Sequence, residues 1–432
     1  MKSKKIWIFK VIVGYPKKMR KYLISKKLVR GVCNDIKRHW SNMWKRIDIW
    51  LAHKSWKRFS KSIPTKNNQI MFRTYQDEYT CNPKYLCDEI IRQGLDYKLV
   101  WVHSKKTMNR KKFPPQVTLV KHGTYKYYEE MARSKFWIDN AHNFTWEPFY
   151  KKKDQVLINL WHGSLGLKRI DPDADSNAHR REAGKRDSKI TDYCISNSVF
   201  EETVFKTTYW PNTPMKRFGH ARNDLMFVDE QTTLELKERV CEELKIDSES
   251  RILLYAPTFR DGDNFDCFNI DYEALHDALQ QRFGGEWVIL TRFHYHTKAL
   301  IKKKSKKLNM KEYPFVASAD NYVDIQELIA ATDVALTDYS SWICDFVLTK
   351  RPGFLFTYDI DTYVTERGFY YPLEDTPFPI ARTNEELINN VLTFDEEAYA
   401  HNMTVYLDKL GCCEDGHAAE RIVELIQERT EI

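Results

Sequence analysis

Short apolar runs recur along this chain, each followed by a turn and then by a stretch with helical spacing. Residues 69–75 are predicted as a strand, 83–92 as a helix and 97–103 as the next strand. The strand series continues at 117–120, 136–139, 156–160 and 192–196, with helices over 125–134 and from Val199. Around 229–249 the pattern changes to a charged helix, expected to join two halves. A second series follows, with strands at 252–256, 287–290, 333–336 and 354–358. Its helices are expected near 272–281, 325–331 and 342–348, and everything after Asn384 reads as helical. Strands alternating with helices imply parallel sheets, here two α/β domains with a cleft between them.

The first 61 residues have a different pattern. Ile36, Trp40, Met43, Trp44, Ile47, Trp50 and Leu51 share one helical face, and Lys37, Arg38, Lys45 and Arg46 share the other. Trp56 and Phe59 extend the apolar side. Tryptophan favours the membrane–water boundary, and each Lys or Arg adds about 1 kcal/mol of attraction to an anionic surface. An in-plane interfacial helix is therefore expected, with Trp40, Trp44, Lys45, Arg46, Trp50 and Trp56 as its membrane-facing set. A helix docked on the protein's own body remains open. A nucleic-acid arm fits less well, because the Trp face is too apolar for a phosphate clamp.

Charge sharpens this division. Residues 1–61 hold nineteen Lys or Arg and two acids, Asp35 and Asp48, a surplus of +17 within a chain of net +8. The remainder is thus acidic by nine charges. At 432 residues, two domains of ordinary size are expected beyond the leader. The nine cysteines show no C-x-x-C spacing, which suggests reduced thiols, a cytosolic setting and no structural zinc. No apolar run reaches 18 residues, so no transmembrane helix or signal peptide is expected.

Candidate chemistry collects where strands end. Trp161-His162-Gly163-Ser164 follows a buried strand, so His162 can act as a general base or serve as a structural histidine. Thr258 and Arg260 follow the 252–256 strand and can bind phosphate oxygens, although Arg260 can equally pair with Asp261 or Asp263. Arg292 and His294 follow the next strand. Gly219-His-Ala-Arg222-Asn-Asp224 places Arg222 near the junction, as a diphosphate fork or as part of a turn. Thr337-Asp338-Tyr339-Ser340-Ser341 hands a strand to a helix start, where backbone N–H groups favour an anion or a serine caps the helix. Neither G-x-G-x-x-G nor a Walker A sequence occurs, which weakens dinucleotide and P-loop readings. No carboxylate cluster has metal-ligand spacing.

In this order, Trp161-His162-Gly163, Tyr255-Ala-Pro-Thr258-Phe-Arg260, Arg292-x-His294 and Thr337-Asp-Tyr-Ser-Ser341 resemble the CDP-glycerol glycerophosphotransferases, the teichoic acid primases and polymerases. Gly-x-x-Arg222-Asn-Asp224 and Arg367-Gly368 fit the same pattern, and the likeness covers about residues 150–395. The resemblance implies a GT-B-like fold: a basic amphipathic leader (1–61), a Rossmann-like acceptor domain (62–230) and a Rossmann-like CDP-alditol donor domain with a helical tail (231–432). It implies transfer of glycerol phosphate from CDP-glycerol to an acceptor hydroxyl, with release of CMP and no cofactor. His162 and His294 would be catalytic. Arg222, Thr258, Arg260, Arg292, Asp338, Ser340 and Ser341 would hold the donor. The implied acceptor is an undecaprenyl-diphosphate-linked saccharide or polymer, met by a peripheral protein on the cytoplasmic membrane face. With a single transferase-sized body, a primase or short-chain enzyme is favoured. Ser164-Leu165 stand where the family usually has Thr-Pro, and Ala221, Phe293 and Tyr295 replace family prolines, which leaves CDP-ribitol open as the donor. A GT-B nucleotide-sugar glycosyltransferase and a non-enzymatic, membrane-associated polyanion binder remain as rival readings.

Overall fold

The computed structural model describes residues 55, 57–75, 77–104, 109–146, 150–170, 178–258, 270–293, 313–366 and 368–431. The membrane-facing set Trp40, Trp44, Lys45, Arg46, Trp50 and Trp56 lies outside them, as do Arg260, His294, Arg367 and the lysine-rich stretch 302–307. The few described residues before Ile63 belong with Tyr150 to a small unit of their own. Both sheets lie in one compact unit, Ile63–Trp146 with Lys151–Ile432, and no division falls at residue 230.

The first series builds β1 (Lys66–Arg73), α1 (Cys81–Arg92), β2 (Lys98–His103), β3 (Thr118–Lys121), α2 (Tyr125–Arg133) and β4 (Ser134–Asp139). It continues with β5 (Val156–Asn159), α3 (Ala178–Ser188), β6 (Tyr193–Ser196), α4 (Val199–Thr207) and β7 (Met215–Arg217). The charged helix is α5 (Glu230–Leu244). Asp229 caps it by accepting from Thr232 N, and Lys245 ends it in the left-handed region at φ 58°. The second series comprises β8 (Arg251–Tyr255), α6 (Tyr272–Phe283), β9 (Trp287–Thr291), β10 (Val316–Ser318), α7 (Ile325–Ala331), β11 (Val334–Thr337), α8 (Ile343–Phe346) and β12 (Gly353–Phe356). Then come α9 (Ile360–Glu366), β13 (Ile380–Ala381), α10 (Asn384–Leu392), α11 (Glu396–Leu410) and α12 (Ala418–Thr430).

Among the described residues, the strands form two parallel sheets, ordered β3-β2-β1-β4-β5-β6-β7 and β10-β9-β8-β11-β12-β13. Strand order reverses between β1 and β4 and again between β8 and β11. The crevices beyond those strand ends are where open α/β sheets take ligands. Every residue of β4, β11 and β12 is buried, and each carries a run of three consecutive apolar residues, Phe136–Ile138, Val334–Leu336 and Phe354–Phe356.

Two findings depart from the sequence pattern. The predicted 342–348 helix is α8, four residues long, followed by a 3-10 turn over Val347–Thr349 and stopped by Lys350 at φ 60°. In addition, α12 leaves the second half. Ala419, Ile422, Val423, Leu425 and Ile426 pack into the core of the first sheet, so the helical tail is not confined to the second. Asp224 fixes its start by accepting from Ala418 N at 2.9 Å and Ala419 N at 2.8 Å. The seven described cysteines are free thiols. No helix among the described residues is long and apolar enough to cross a membrane.

Candidate active site

The loop after β4 is wound around Asp139. Its carboxylate accepts from Ala141 N (3.0 Å), Asn143 N (2.8 Å) and Asn143 Nδ2 (2.6 Å). Burial, with Asp187 nearby, pushes the Asp139 carboxyl upward despite those donors. The loop so formed presents Asn140 twice. Its Oδ1 accepts from Tyr75 N at 3.0 Å, and its backbone carbonyl accepts from His162 Nδ1 at 2.5 Å. A carbonyl only accepts, so Nδ1 carries the proton and Nε2 is left as the basic nitrogen. The His162 ring is exposed and stacks on Tyr75, with centroids 5.8 Å apart and planes 15° apart.

The loop carrying His162 is strained. Trp161 and Leu165 have φ of 53° and 36°, which bulky side chains rarely adopt. Buried partners hold it. Asn82 Nδ2 donates to Leu160 O (2.8 Å) and Trp161 O (3.0 Å), and Asn159 Oδ1 accepts from Trp161 N (2.9 Å). Asn197 Nδ2 donates to Ser164 Oγ (2.6 Å), and Tyr371 Oη donates to Leu165 O (2.6 Å). Trp161 itself wedges among Phe205, Tyr209 and Trp210. Strain of about 1–3 kcal/mol per residue persists only where such surroundings over-determine the backbone.

A cavity of about 450 Å³ opens beside this loop, with Tyr75, His162, Ser164, Lys168, Glu201 and Ser341 among its lining residues. It brings together side chains placed by the ends of β1, β5 and β11. Glu201 is buried and bonded to His220 Nε2 (3.1 Å) and Asn197 N (2.8 Å). Burial opposes the proton on His220, but the Glu201 carboxylate outweighs it and raises the ring's pKa. No group of three or more His, Cys, Asp or Glu among the described residues is placed to hold a metal ion.

Residues 55–428 match the sequence profile of the CDP-glycerol:poly(glycerophosphate) glycerophosphotransferases. The chain belongs to this family. It is 30% identical over 402 residues to a teichoic acid glycerol-phosphate transferase of Staphylococcus aureus, covering 89% of this chain and 99% of the relative. It is 29% identical over 385 residues to a teichoic acid poly(glycerol phosphate) polymerase of Staphylococcus epidermidis, covering 85% of this chain. The chain spans only about half of that polymerase's length (51%). The solved structure of the wall teichoic acid polymerase TagF superposes with a TM-score of 0.73 at 27% identity, covering 92% of this chain and 97% of that one. Two parallel-sheet halves and this likeness make the fold GT-B-like, and membership makes the chain a glycerophosphotransferase by class.

Of the described residues assigned to catalysis or donor binding from the sequence, His162 and Ser341 line the cavity, with the motif neighbours Trp161 and Gly163 beside His162. Arg222 is buried, with Nη1 donating to His162 O (2.6 Å) and Cys81 Sγ (3.4 Å) and Nη2 within 2.9 Å of Asp345 Oδ2. Burial opposes its charge, but Asp345 outweighs this and holds the guanidinium's pKa above its ordinary value. Both Nη groups thus serve protein acceptors, while Nε is buried without a hydrogen-bond partner. Arg292 donates through Nη1 to Ala319 O (3.1 Å) and Tyr322 O (2.5 Å), tying down the loop after β10. Asp338 is fully buried and accepts from Thr258 N (2.8 Å) and from Tyr339 N, which joins the loops after β8 and β11.

Ser340 and Ser341 are half-buried just before α8, where the sequence pattern predicts a helix start, but neither serine is its N-cap. The N-cap position is Trp342, with no side-chain cap, and a four-residue helix is too short for a useful dipole. Sequence reasoning missed Tyr75, Asn82, Asp139, Asn140 and Glu201. Asp139-Asn140 at the end of a predicted strand was the one visible signal.

Proposed function

We propose that the protein transfers glycerol phosphate from CDP-glycerol to a hydroxyl of a teichoic-acid-type acceptor, with release of CMP. The observation that carries this reading is the cavity shared by His162, with its proton held on Nδ1, and Ser341. The acceptor oxygen attacks the phosphorus that bears the glycerol. Its bond to phosphorus forms as the bridging P–O bond breaks, CMP leaves with the electron pair, and the hydroxyl proton passes to His162 Nε2. General-base help of this kind is worth about 10²–10⁴-fold. The Ser340–Ser341 turn and Thr258, with the motif residues Arg260 and His294 that lie outside the described residues, are assigned to the donor. Glycerol is preferred over ribitol because the Staphylococcus aureus and Staphylococcus epidermidis relatives are named for glycerol phosphate. A lipid-linked acceptor on an anionic membrane face, met peripherally, fits the +17 surplus of residues 1–61.

The test offers radiolabelled CDP-glycerol, CDP-ribitol and a UDP-sugar in turn, with a lipid-linked disaccharide in anionic vesicles or the same saccharide in solution. CMP release and label transfer with CDP-glycerol, strongest on vesicles that float with the protein, are expected. Transfer from CDP-ribitol or the UDP-sugar alone overturns the donor assignment. Vesicle flotation without nucleotide release from any donor overturns the enzymatic reading.

A further inference from the structure

His162 follows β5 in the first sheet, Ser341 follows β11 in the second, and one buried pair of side chains connects them. Arg222 Nη1 donates to the His162 carbonyl at 2.6 Å, while Nη2 lies 2.9 Å from Asp345 Oδ2 and 3.2 Å from Oδ1. Asp345 sits on α8, the short helix that begins just beyond Ser341. Its Oδ2 also accepts from Gln326 Nε2 at 3.1 Å, and the same amide reaches Asn223 Oδ1 at 3.2 Å. The Arg222 backbone N donates to Asn82 Oδ1 at 3.1 Å, and Asn82 Nδ2 holds the carbonyls of Leu160 and Trp161. Asn82, Asn223 and Gln326 have no exposure, and Arg222 and Asp345 have 6% and 3%.

We infer that Arg222 and Asp345 are positioning residues, a clamp that sets His162 Nε2 in register with the Ser340–Ser341 turn. Without it the strained His162 loop and the second-sheet turn lose their charged tie through this buried layer, leaving only weaker contacts such as Cys344 Sγ to Leu165 O at 3.9 Å. Misplacement of a reacting group by about 1 Å, caused by a change far from the chemistry, can cost on the order of 100-fold in rate. The guanidinium fork suits this task because it reaches two acceptors in fixed directions, whereas a lysine ammonium is a point charge on a flexible stem. This inference rests on the glycerophosphotransferase reading. It differs from a donor-ligand role for Arg222 in what it predicts for donor binding.

The experiment compares wild type, Arg222→Lys and Asp345→Asn by kcat, by KM, and by calorimetric affinity for CDP-glycerol. Both variants are expected to lose roughly 10–100-fold in kcat, with CDP-glycerol affinity within about threefold of wild type. A tenfold or greater loss of donor affinity in either variant overturns the clamp and restores Arg222 as a donor ligand. A kcat within threefold of wild type in both also overturns it. If Arg222→Lys does not fold, Asp345→Asn decides by the same two criteria. Wild-type protein that neither binds nor turns over CDP-glycerol would instead reject the function itself.

Discussion

The ring of His162 is locked to Asn140, with Nδ1–H donating to the Asn140 carbonyl at 2.5 Å across 22 residues of sequence. The bond fixes the tautomer from the far side of the ring and makes Nε2 its basic nitrogen. Asparagine places an amide N–H close to the Nδ1 position but has nothing at Nε2. His162→Asn should therefore keep the loop, the melting temperature and donor affinity while transfer falls by roughly 10²–10⁴-fold. Initial-rate assays beside donor titration check this. Transfer within threefold of wild type would remove His162 from proton transfer.

Asn82 bears on stability as much as on activity. Its side chain meets three backbone groups, Leu160 O, Trp161 O and Arg222 N, all in the buried layer behind the cavity. Leaving buried polar groups without partners costs about 1–3 kcal/mol each, partly relieved by relaxation of a loop already strained at Trp161. Asn82→Ala is expected to cost about 2–4 kcal/mol overall, read as a lower urea midpoint at unchanged slope. A loss below about 0.5 kcal/mol, at the scale of ordinary surface substitutions, would show that the loop holds its shape without Asn82.

The sequence made the interior strands legible and much of the site illegible, for one physical reason. β4, β11 and β12 are covered on both faces, so burial imprints itself on consecutive residues. β7, β10 and β13 are only two or three residues long at sheet margins, too short to leave a pattern. His162 was visible because a histidine beside glycine after a buried strand stands out in one dimension. Asn82 was not, since its partner carbonyls lie 78 and 79 residues away and its role exists only after folding. Arg222 was visible as a motif, but the partners of its guanidinium were not. The motif shows that an arginine is needed, and only the 2.9 Å approach of Asp345 shows where its charge is directed.

Glu414 offers a test in pH. It is half-buried between His220 N, Asn197 Nδ2 (2.9 Å) and Asn223 Nδ2 (2.7 Å), and loss of hydration lifts its carboxyl from 4.5 to about 7 despite the nearby His220 ring and those donors. A raised pKa means that the folded state binds more protons than the unfolded chain between those two values. The stability tied to this proton is therefore full below about pH 4.5 and is lost as pH rises through 7. At about 1.4 kcal/mol per unit, the loss is on the order of 3 kcal/mol. Asp224, lifted to about 6, and His220, also raised, contribute slopes of the same sign. Glu414→Gln should thus flatten the fall in unfolding free energy between pH 5 and pH 8 without abolishing it. Denaturant titrations of both proteins across that range make the comparison, and parallel pH profiles would mean that Glu414 is ionised throughout.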